Sequence, residues 1–340
     1  MILIQNIYYM LSYAFKVLQE KGYRDIETEE FENVADLLSE ILIKGVKIEL
    51  KRGILKGYVD TEDTLSTIRG KINIRETINH QTLINNKVVC NYDEYTENIY
   101  LNKIIKTTML YLLHSDISKD RKKKIKNILV YFKDVDVLDI HNINWKINYN
   151  KNNQNYRMLI YICNFIIKGL IQTKSNGKNR LLDFEDEQKM SSLYEKFILE
   201  YYRKEHPEVI ANASFINWQL DNDFDLFLPR MRSDITLLKD NKVLIIDAKY
   251  YINNMQHYYE SDSIVSSNIY QIFTYVKNKS YENKDLKVSG MLLYAKTENQ
   301  LQPDADYQMS GNRISVKTLD LNQPFINIKK QLDDIVINYL

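Results

Sequence analysis

Cysteine is nearly absent from this 340-residue chain, where only Cys90 and Cys163 occur. Neither has a neighbour at metal-ligand spacing, which excludes a disulfide scaffold and a thiolate zinc site. Long apolar runs are lacking too. The longest, Met158 to Ile167, is broken by Asn164 and falls short of the ~20 residues that cross a bilayer. The opening Met1-Ile2-Leu3-Ile4-Gln5-Asn6 has no basic n-region and no small-residue cleavage site. No signal peptide is therefore expected, and the chain reads as cytoplasmic with no membrane partner. No Gly-x4-Gly-Lys-Ser/Thr occurs, so the chain lacks a P-loop and should not bind GTP unaided. Net charge is small, +1 at pH 7. That argues against a globally basic nucleic-acid binder but not against a local basic face. Tryptophan is scarce, with 2 against 26 tyrosines. Beside abundant Asn, Ile and Lys, those tyrosines look like genome base composition rather than a stacking platform.

What is present describes an ordinary globular protein, 44% hydrophobic and 27% charged, long enough for two domains with cores. Ile7, Met10, Leu11, Ala14, Phe15 and Leu18 recur at helical spacing. A second helix is expected over 29–43. The zone 46–89 is strand-like and rich in turn and charge residues, which suits a small barrel or an extended hairpin. Helices follow at 98–114 and 158–171. The run from Lys119 to Lys126 is the one dense basic cluster and reads as a solvated helix face. The polar stretch 172–180 is the best linker, giving domains 1–172 and 173–340. The second half reads helix (188–204), strand, hairpin, helix (267–278), strand (290–294), strand (314–319) and a helix from Phe325. That order predicts an α/β arrangement around a mixed sheet, α+β overall.

The chemistry concentrates in one hairpin. Residues 232–238 and 242–250 form two strand-like runs around Asp240-Asn241, residues that tolerate the positive φ of a tight turn. If Lys239 pairs with Lys242, the register places Asp234 opposite Asp247. Such pairs have Cβ atoms about 4.5–5.5 Å apart, and like charges there are destabilising. Lys249, two residues beyond Asp247, points to the same face. A surface hairpin with scattered charges is the plain alternative. The apolar run Val243 to Ile246 favours a buried strand instead, and a charged pair at its end needs partners or a metal. Hard carboxylate oxygens suit Mg²⁺ or Mn²⁺. Lys249 would orient the attacking water or stabilise a charged phosphoryl transition state. Ser266 and Ser267 are candidate caps for a helix carrying Gln271 and Tyr275 on one face. Gln271 is placed to bond Lys249 or a phosphate, and Tyr275 either packs or joins it. Glu195 lies off the Leu193/Phe197/Ile198/Tyr201 stripe, as a solvated or salt-bridged side chain does.

Asp234…Asp247-x-Lys249, with Pro229 a little before it, resembles the signature of PD-(D/E)xK nucleases. That resemblance implies a restriction-endonuclease-like mixed sheet flanked by helices, and it makes Glu195 a candidate acidic metal ligand beside Asp234 and Asp247. More of the chain resembles the McrC family, the nuclease subunits of modification-dependent restriction systems. The matching blocks run in order: Ile4-Gln5-Asn6-Ile7-Tyr8-Tyr9-Met10-Leu11-Ser12-Tyr13-Ala14, Lys51-Arg52-Gly53, Ile68-Arg69-Gly70-Lys71-Ile72 and Leu101-Asn102-Lys103-Ile104-Ile105-Lys106. Leu228-Pro229-Arg230-Met231-Arg232-Ser233-Asp234-Ile235-Thr236, Asp247-Ala248-Lys249-Tyr250-Tyr251 and Asn268-Ile269-Tyr270-Gln271 complete the set. The resemblance implies catalytic roles for Asp234, Asp247 and Lys249, with Mg²⁺ as cofactor, and Gln271 joins them as a catalytic candidate on the strength of its helix position. It implies a McrB-like AAA+ GTPase ring and double-stranded DNA as partners, with GTP used by the ring. A type IV restriction endonuclease subunit that cuts DNA carrying methylated cytosine, and stimulates its partner's GTPase, is the expected function. The N-terminal domain would dock on the ring through the zone 46–89, with Arg52, Arg69 and Lys71 as contact candidates. A stand-alone repair nuclease and a non-catalytic scaffold of the motor are the alternatives.

Overall fold

A computed structural model describes residues 2–20, 22–175, 187–222, 226–251, 256–258 and 261–340. The chain divides into two compact units, Met1–Glu29 with Asp183–Leu340, and Glu30–Leu182. The division differs from the expected one at 172/173. The opening helix α1 (Ile4–Ala14) belongs with the C-terminal half. Its polar side chains explain why. The Asn6 amide donates to the carbonyls of Leu321 and Gln323, both at 2.8 Å. Tyr13 donates to Glu205 Oε1 at 2.7 Å, and Tyr9 stacks on Phe325 at 4.3 Å. The expected linker 172–180 begins inside a helix that runs to Ser175, and 176–180 lie outside the described residues.

In the unit Glu30–Leu182, α2 (Val34–Arg52) starts at Asn33, whose side chain accepts the Asp36 amide at 2.9 Å. This helix runs through the first residues of the zone 46–89. The zone is strand-rich only from β1 (Gly57–Leu65) onward, and after β2 (Lys71–Ile72) comes α3 (Ile74–Asn79). β3 (Val88–Thr96) pairs antiparallel with β1 along its whole length and takes β2 on its other edge. The zone forms a three-stranded antiparallel sheet in place of the expected small barrel or extended hairpin, and among the described residues it does not close into a barrel. Gly70 sits at φ 68, where a Cβ would meet Tyr92 Cβ at 2.7 Å, so only glycine fits between Arg69 and Lys71. Helices α4 (Tyr100–Leu113), α5 (Lys119–Leu129) and α6 (Tyr156–Ser175) complete the unit. The basic run forms α5, but its face is not all solvated. Arg121 is buried and pairs with buried Asp36 and, at 3.3 Å, with Glu40.

In the other unit, α7 (Glu187–Glu205) precedes β4 (Ile210–Asn212), β5 (Phe215–Ile216) and β6 (Met231–Arg232). The hairpin β7 (Ile235–Lys239) and β8 (Lys242–Lys249) follows, then the small pair β9 (Gln256–Tyr258) and β10 (Ser261–Ser263). Helix α8 (Ser266–Glu282), β11 (Lys287–Ala295), β12 (Ala305–Met309), β13 (Asn312–Leu319) and α9 (Phe325–Tyr339) close the chain. The sheet order is β12-β13-β11-β8-β7-β4, parallel where β11 meets β8 and β13 and antiparallel elsewhere. This is the mixed sheet flanked by helices that the residue pattern predicts. β8 and β11 are buried on both faces, which explains their near-continuous apolar runs. Ile272 and Val276 of α8 pack on β11 at Gly290, where a Cβ would stand 2.6 Å from Val276 Cγ2. Each fully buried aliphatic side chain of this core contributes roughly 1.5–3 kcal/mol. The serine caps expected for α8 are not used. Val265 is its N-cap residue, with no side-chain bond. Among the described residues no helix is long and apolar enough to cross a membrane.

Candidate active site

The hairpin register is the expected one. Lys239 pairs with Lys242 and Ile235 with Ile246, so the next position sets Asp234 against Asp247. The turn residue Asp240 takes φ 53. Asp234 itself lies at a bend, because β6 pairs with β5 while β7 pairs with β8. Ser233 fixes that bend. Its amide donates to the Ser214 carbonyl at 3.0 Å, and its hydroxyl lies 2.7 Å from that of Thr236.

Asp247 is 1% exposed. Its buried Oδ2 lies 2.9 Å from Lys249 Nζ in an ion pair and makes no further hydrogen bond. Asp234 Oδ2 accepts the Ala248 amide at 2.9 Å. Burial raises the Asp234 pKa most, followed by the Asp247 charge, the bond between the two carboxyls and the charge of Glu195. Burial works against the Lys249 charge, but the Asp247 and Asp234 carboxylates outweigh it and hold its pKa above the ordinary value. Lys249 is therefore a fixed cation rather than a base.

The second layer of contacts also follows the sequence reading. Lys249 Nζ donates to Gln271 Oε1 at 3.4 Å, and Gln271 Nε2 donates to the Tyr275 hydroxyl at 2.9 Å. Tyr275 both packs and holds the amide, so its two readings are compatible. Two neighbours were not legible in the sequence. Tyr294 pairs with Lys249 across β8 and β11, and its hydroxyl accepts from buried Asn268 at 2.9 Å. Burial pushes the Tyr294 pKa up to about 12. The signal for Asn268 lay in the block that contains Gln271, but Tyr294 is placed by a parallel register that no local pattern encodes.

Glu195 is not the solvated side chain expected from its helix position. It is partly buried and accepts from the Ser191 hydroxyl at 3.0 Å. Burial raises its pKa, and the Ser191 bond and Lys249 charge oppose that rise. Its charge is felt by Asp234, yet among the described residues no three His, Cys, Asp or Glu side chains are grouped to hold a metal. Glu195 thus stands beside the carboxylate pair, near enough for its charge to act on Asp234. The pair alone fits Mg²⁺, which is commonly held by one or two carboxylates with water and substrate phosphate. The burial of the Asp247 carboxylate and the repulsion that helps raise Asp234 are what such an ion would relieve.

The docking candidates lie in the unit Glu30–Leu182. Arg52 closes α2 and pairs with Glu49 at 3.0 Å. The Arg69 guanidinium lies 4.0 Å over the Tyr92 ring and 4.0 Å from Glu94. Lys71 is exposed on β2. The same unit exposes Ile68, Ile74, Ile78, Leu83 and Ile84, which sequence reasoning had not singled out.

Residues 4–295 match the family described as McrBC 5-methylcytosine restriction system component. The chain is 30% identical over 343 residues to the type IV methyl-directed restriction enzyme EcoKMcrBC of Escherichia coli K12, covering 99% of this chain and 98% of that protein. Among solved structures, a half-complex of Thermococcus gammatolerans McrB AAA+ hexamers with bound McrC matches at 17% identity and TM-score 0.49. It covers 99% of this chain and 76% of that one. The McrBC complex of the same organism matches at 17% identity and TM-score 0.38, covering 59% and 58%.

Proposed function

Since the chain belongs to the family of McrBC 5-methylcytosine restriction system components, we infer that it is the nuclease subunit of such a system. It would hydrolyse phosphodiester bonds in DNA carrying methylated cytosine, together with a McrB-like AAA+ GTPase ring whose GTP hydrolysis it stimulates. The observation that carries the nuclease reading is the facing pair Asp234 and Asp247, with Lys249 Nζ 2.9 Å from the buried Asp247 Oδ2.

Asp234 and Asp247 would hold Mg²⁺, or Mn²⁺ in its place. The bound ion would supply Lewis-acid polarisation of the phosphate and a more acidic water. Lys249 stays protonated and is positioned to stabilise the charge that builds on the phosphoryl oxygens. Gln271 orients that ammonium, and Tyr275 orients Gln271. Glu195 would reach the ion only through water. Arg52, Arg69 and Lys71 are the proposed contacts with the ring. With a net charge of +1, the chain alone should hold DNA weakly.

The test combines the purified chain, its partner GTPase, GTP and Mg²⁺ with methylated or unmethylated plasmid. Methylated plasmid should be cut only when all components are present. The Asp247→Ala variant should lose cleavage but keep its fold and its stimulation of the GTPase. Equal cutting by variant and parent at matched Mg²⁺ would remove Asp247 from the chemistry. Efficient cutting of unmethylated DNA by the chain alone would favour a stand-alone nuclease.

A further inference from the structure

A second cavity opens at the end of the sheet opposite the carboxylates. It measures about 620 Å³ and is lined by Lys242, Lys277, Lys284, Lys287 and Arg313, with the ring of Tyr281 in its wall. Five residue steps along extended β8 carry the chain from Lys242 to Asp247, about 16 Å at the rise of a strand. The two sites are therefore distinct. The volume lies within the range of small-molecule sites, roughly 300–1,000 Å³.

No Asp or Glu lines this cavity. Arg313 is neutralised by Asp306, which it meets at 3.1 and 3.0 Å. Glu282 is turned to Lys279 at 2.7 Å, and exposed Asp285 lies outside the lining. Lys277 donates to the Ser310 carbonyl at 2.8 Å and the Asn312 amide oxygen at 3.1 Å, while Lys242 donates at 3.0 Å to an oxygen of the terminal carboxyl group of Leu340. Among the described residues, Lys284 and Lys287 meet no carboxylate. The C-terminal dipole of α8 accounts for Lys284, which lies just beyond that helix end. It does not account for Lys242 and Lys287, which begin two neighbouring strands. Those two residues pair directly in the β8/β11 register, so like charges sit side by side in the sheet. Such an arrangement costs a little stability, and a bound anion would offset it.

The aromatic component narrows the anion. Tyr281 is 62% exposed, and its ring lies 5.5 Å from Lys277 Nζ. Ser280, Ser289 and Gln308 add neutral hydrogen-bonding groups to the lining. Phosphate charge, a flat ring face and amide or hydroxyl donors together match one nucleotide. We propose that this basic cavity binds a nucleotide unit, with its phosphate on Lys284, Lys287 and Lys242 and its base against Tyr281. The unit comes either from a free nucleotide or from a single strand of nucleic acid.

The experiment uses the full chain in EDTA, so that cleavage does not intervene. Calorimetry follows dGMP and inorganic pyrophosphate, and anisotropy follows a fluorescein-labelled single DNA strand of about 12 nucleotides. The Lys284→Gln/Lys287→Gln variant should weaken the nucleotide-bearing probes about tenfold or more, because two charge-assisted contacts are lost. Both positions are exposed, so its melting temperature should match the parent's. Tyr281→Ala should weaken dGMP and the strand but leave pyrophosphate unchanged. The probe bound more tightly identifies the source. Absence of binding by both nucleotide probes overturns the proposal, as does parental affinity in the double variant. Pyrophosphate bound as tightly as dGMP, with no effect of Tyr281→Ala, overturns it as well, leaving a bare anion site.

Discussion

Replacing Asp234 by Asn should stabilise the metal-free protein while abolishing cleavage. The facing carboxylates are separated by about 5 Å at Cβ, as opposed residues on a sheet face are. At an effective dielectric of about 20, two unit charges at that distance repel by about 3 kcal/mol. Lys249, 2.9 Å from Asp247 Oδ2, offsets part of this. The net gain in Asp234→Asn should be about 1–2 kcal/mol, because asparagine keeps an oxygen for the Ala248 amide and leaves the Asp247–Lys249 pair intact. For a unit of this size that is a rise in melting temperature of roughly 2–8 °C. The pH dependence follows from the raised Asp234 pKa. A carboxyl whose folded pKa is raised stabilises the fold below the ordinary carboxylate value and loses that contribution as pH rises through the folded value. The parent in EDTA should therefore weaken across that window, and the variant should not. Mg²⁺ should raise the parent's melting temperature most on the alkaline side and leave the variant nearly unmoved. Differential scanning fluorimetry in EDTA and in Mg²⁺, from acid to mildly alkaline pH, reads all of this. A variant no more stable than its parent at the alkaline end would refute the repulsion argument.

Two further perturbations address the other unit. Arg121→Ala leaves Asp36 and Glu40 buried without their guanidinium and should destabilise the unit Glu30–Leu182 by about 3–5 kcal/mol. A chemical denaturation curve with an unchanged midpoint for that unit would contradict the burial. Deleting residues 55–66 removes β1 and should abolish stimulation of the partner's GTP hydrolysis, measured by phosphate release. Stimulation at the parental rate would move the contact to the exposed lysines of α5.

The hairpin was readable because its information is local. A tight turn, an apolar run and a period of two set the register, and the register sets Asp234 against Asp247. The Gln271–Tyr275 pair was readable for the same reason, at helical spacing. What escaped depends on contacts far apart in sequence. Tyr294 reaches Lys249 only through a parallel pairing across a helical crossover. α1 leaves its sequence neighbours because the Asn6 amide finds carbonyls more than three hundred residues away. Arg121 looked like one cation among many in a basic run, and only burial against Asp36 and Glu40 separates it from the rest. The solvated reading of Glu195 failed similarly, because α7 positions that would face water on an isolated helix lie near the carboxylate pair here.

The two ends of β8 obey one physical rule. At Asp247 the strand ends in a carboxylate facing another carboxylate, and at Lys242 it begins with an ammonium beside another ammonium. Neither arrangement helps the sheet form, since like charges in register destabilise it. The apolar stretch between them, Val243 to Ile246, supplies the stability that tolerates both. Each end would be relieved by an ion of opposite sign, the proposed divalent cation at the carboxylates and the proposed phosphate at the lysines. The end signs also differ in burial. Asp247 is 1% exposed and so responds strongly to whatever neutralises it, whereas Lys242 and Lys287 are exposed and screened by salt. Raising ionic strength should therefore weaken an anion at the lysine end well before it disturbs a cation at the carboxylate end.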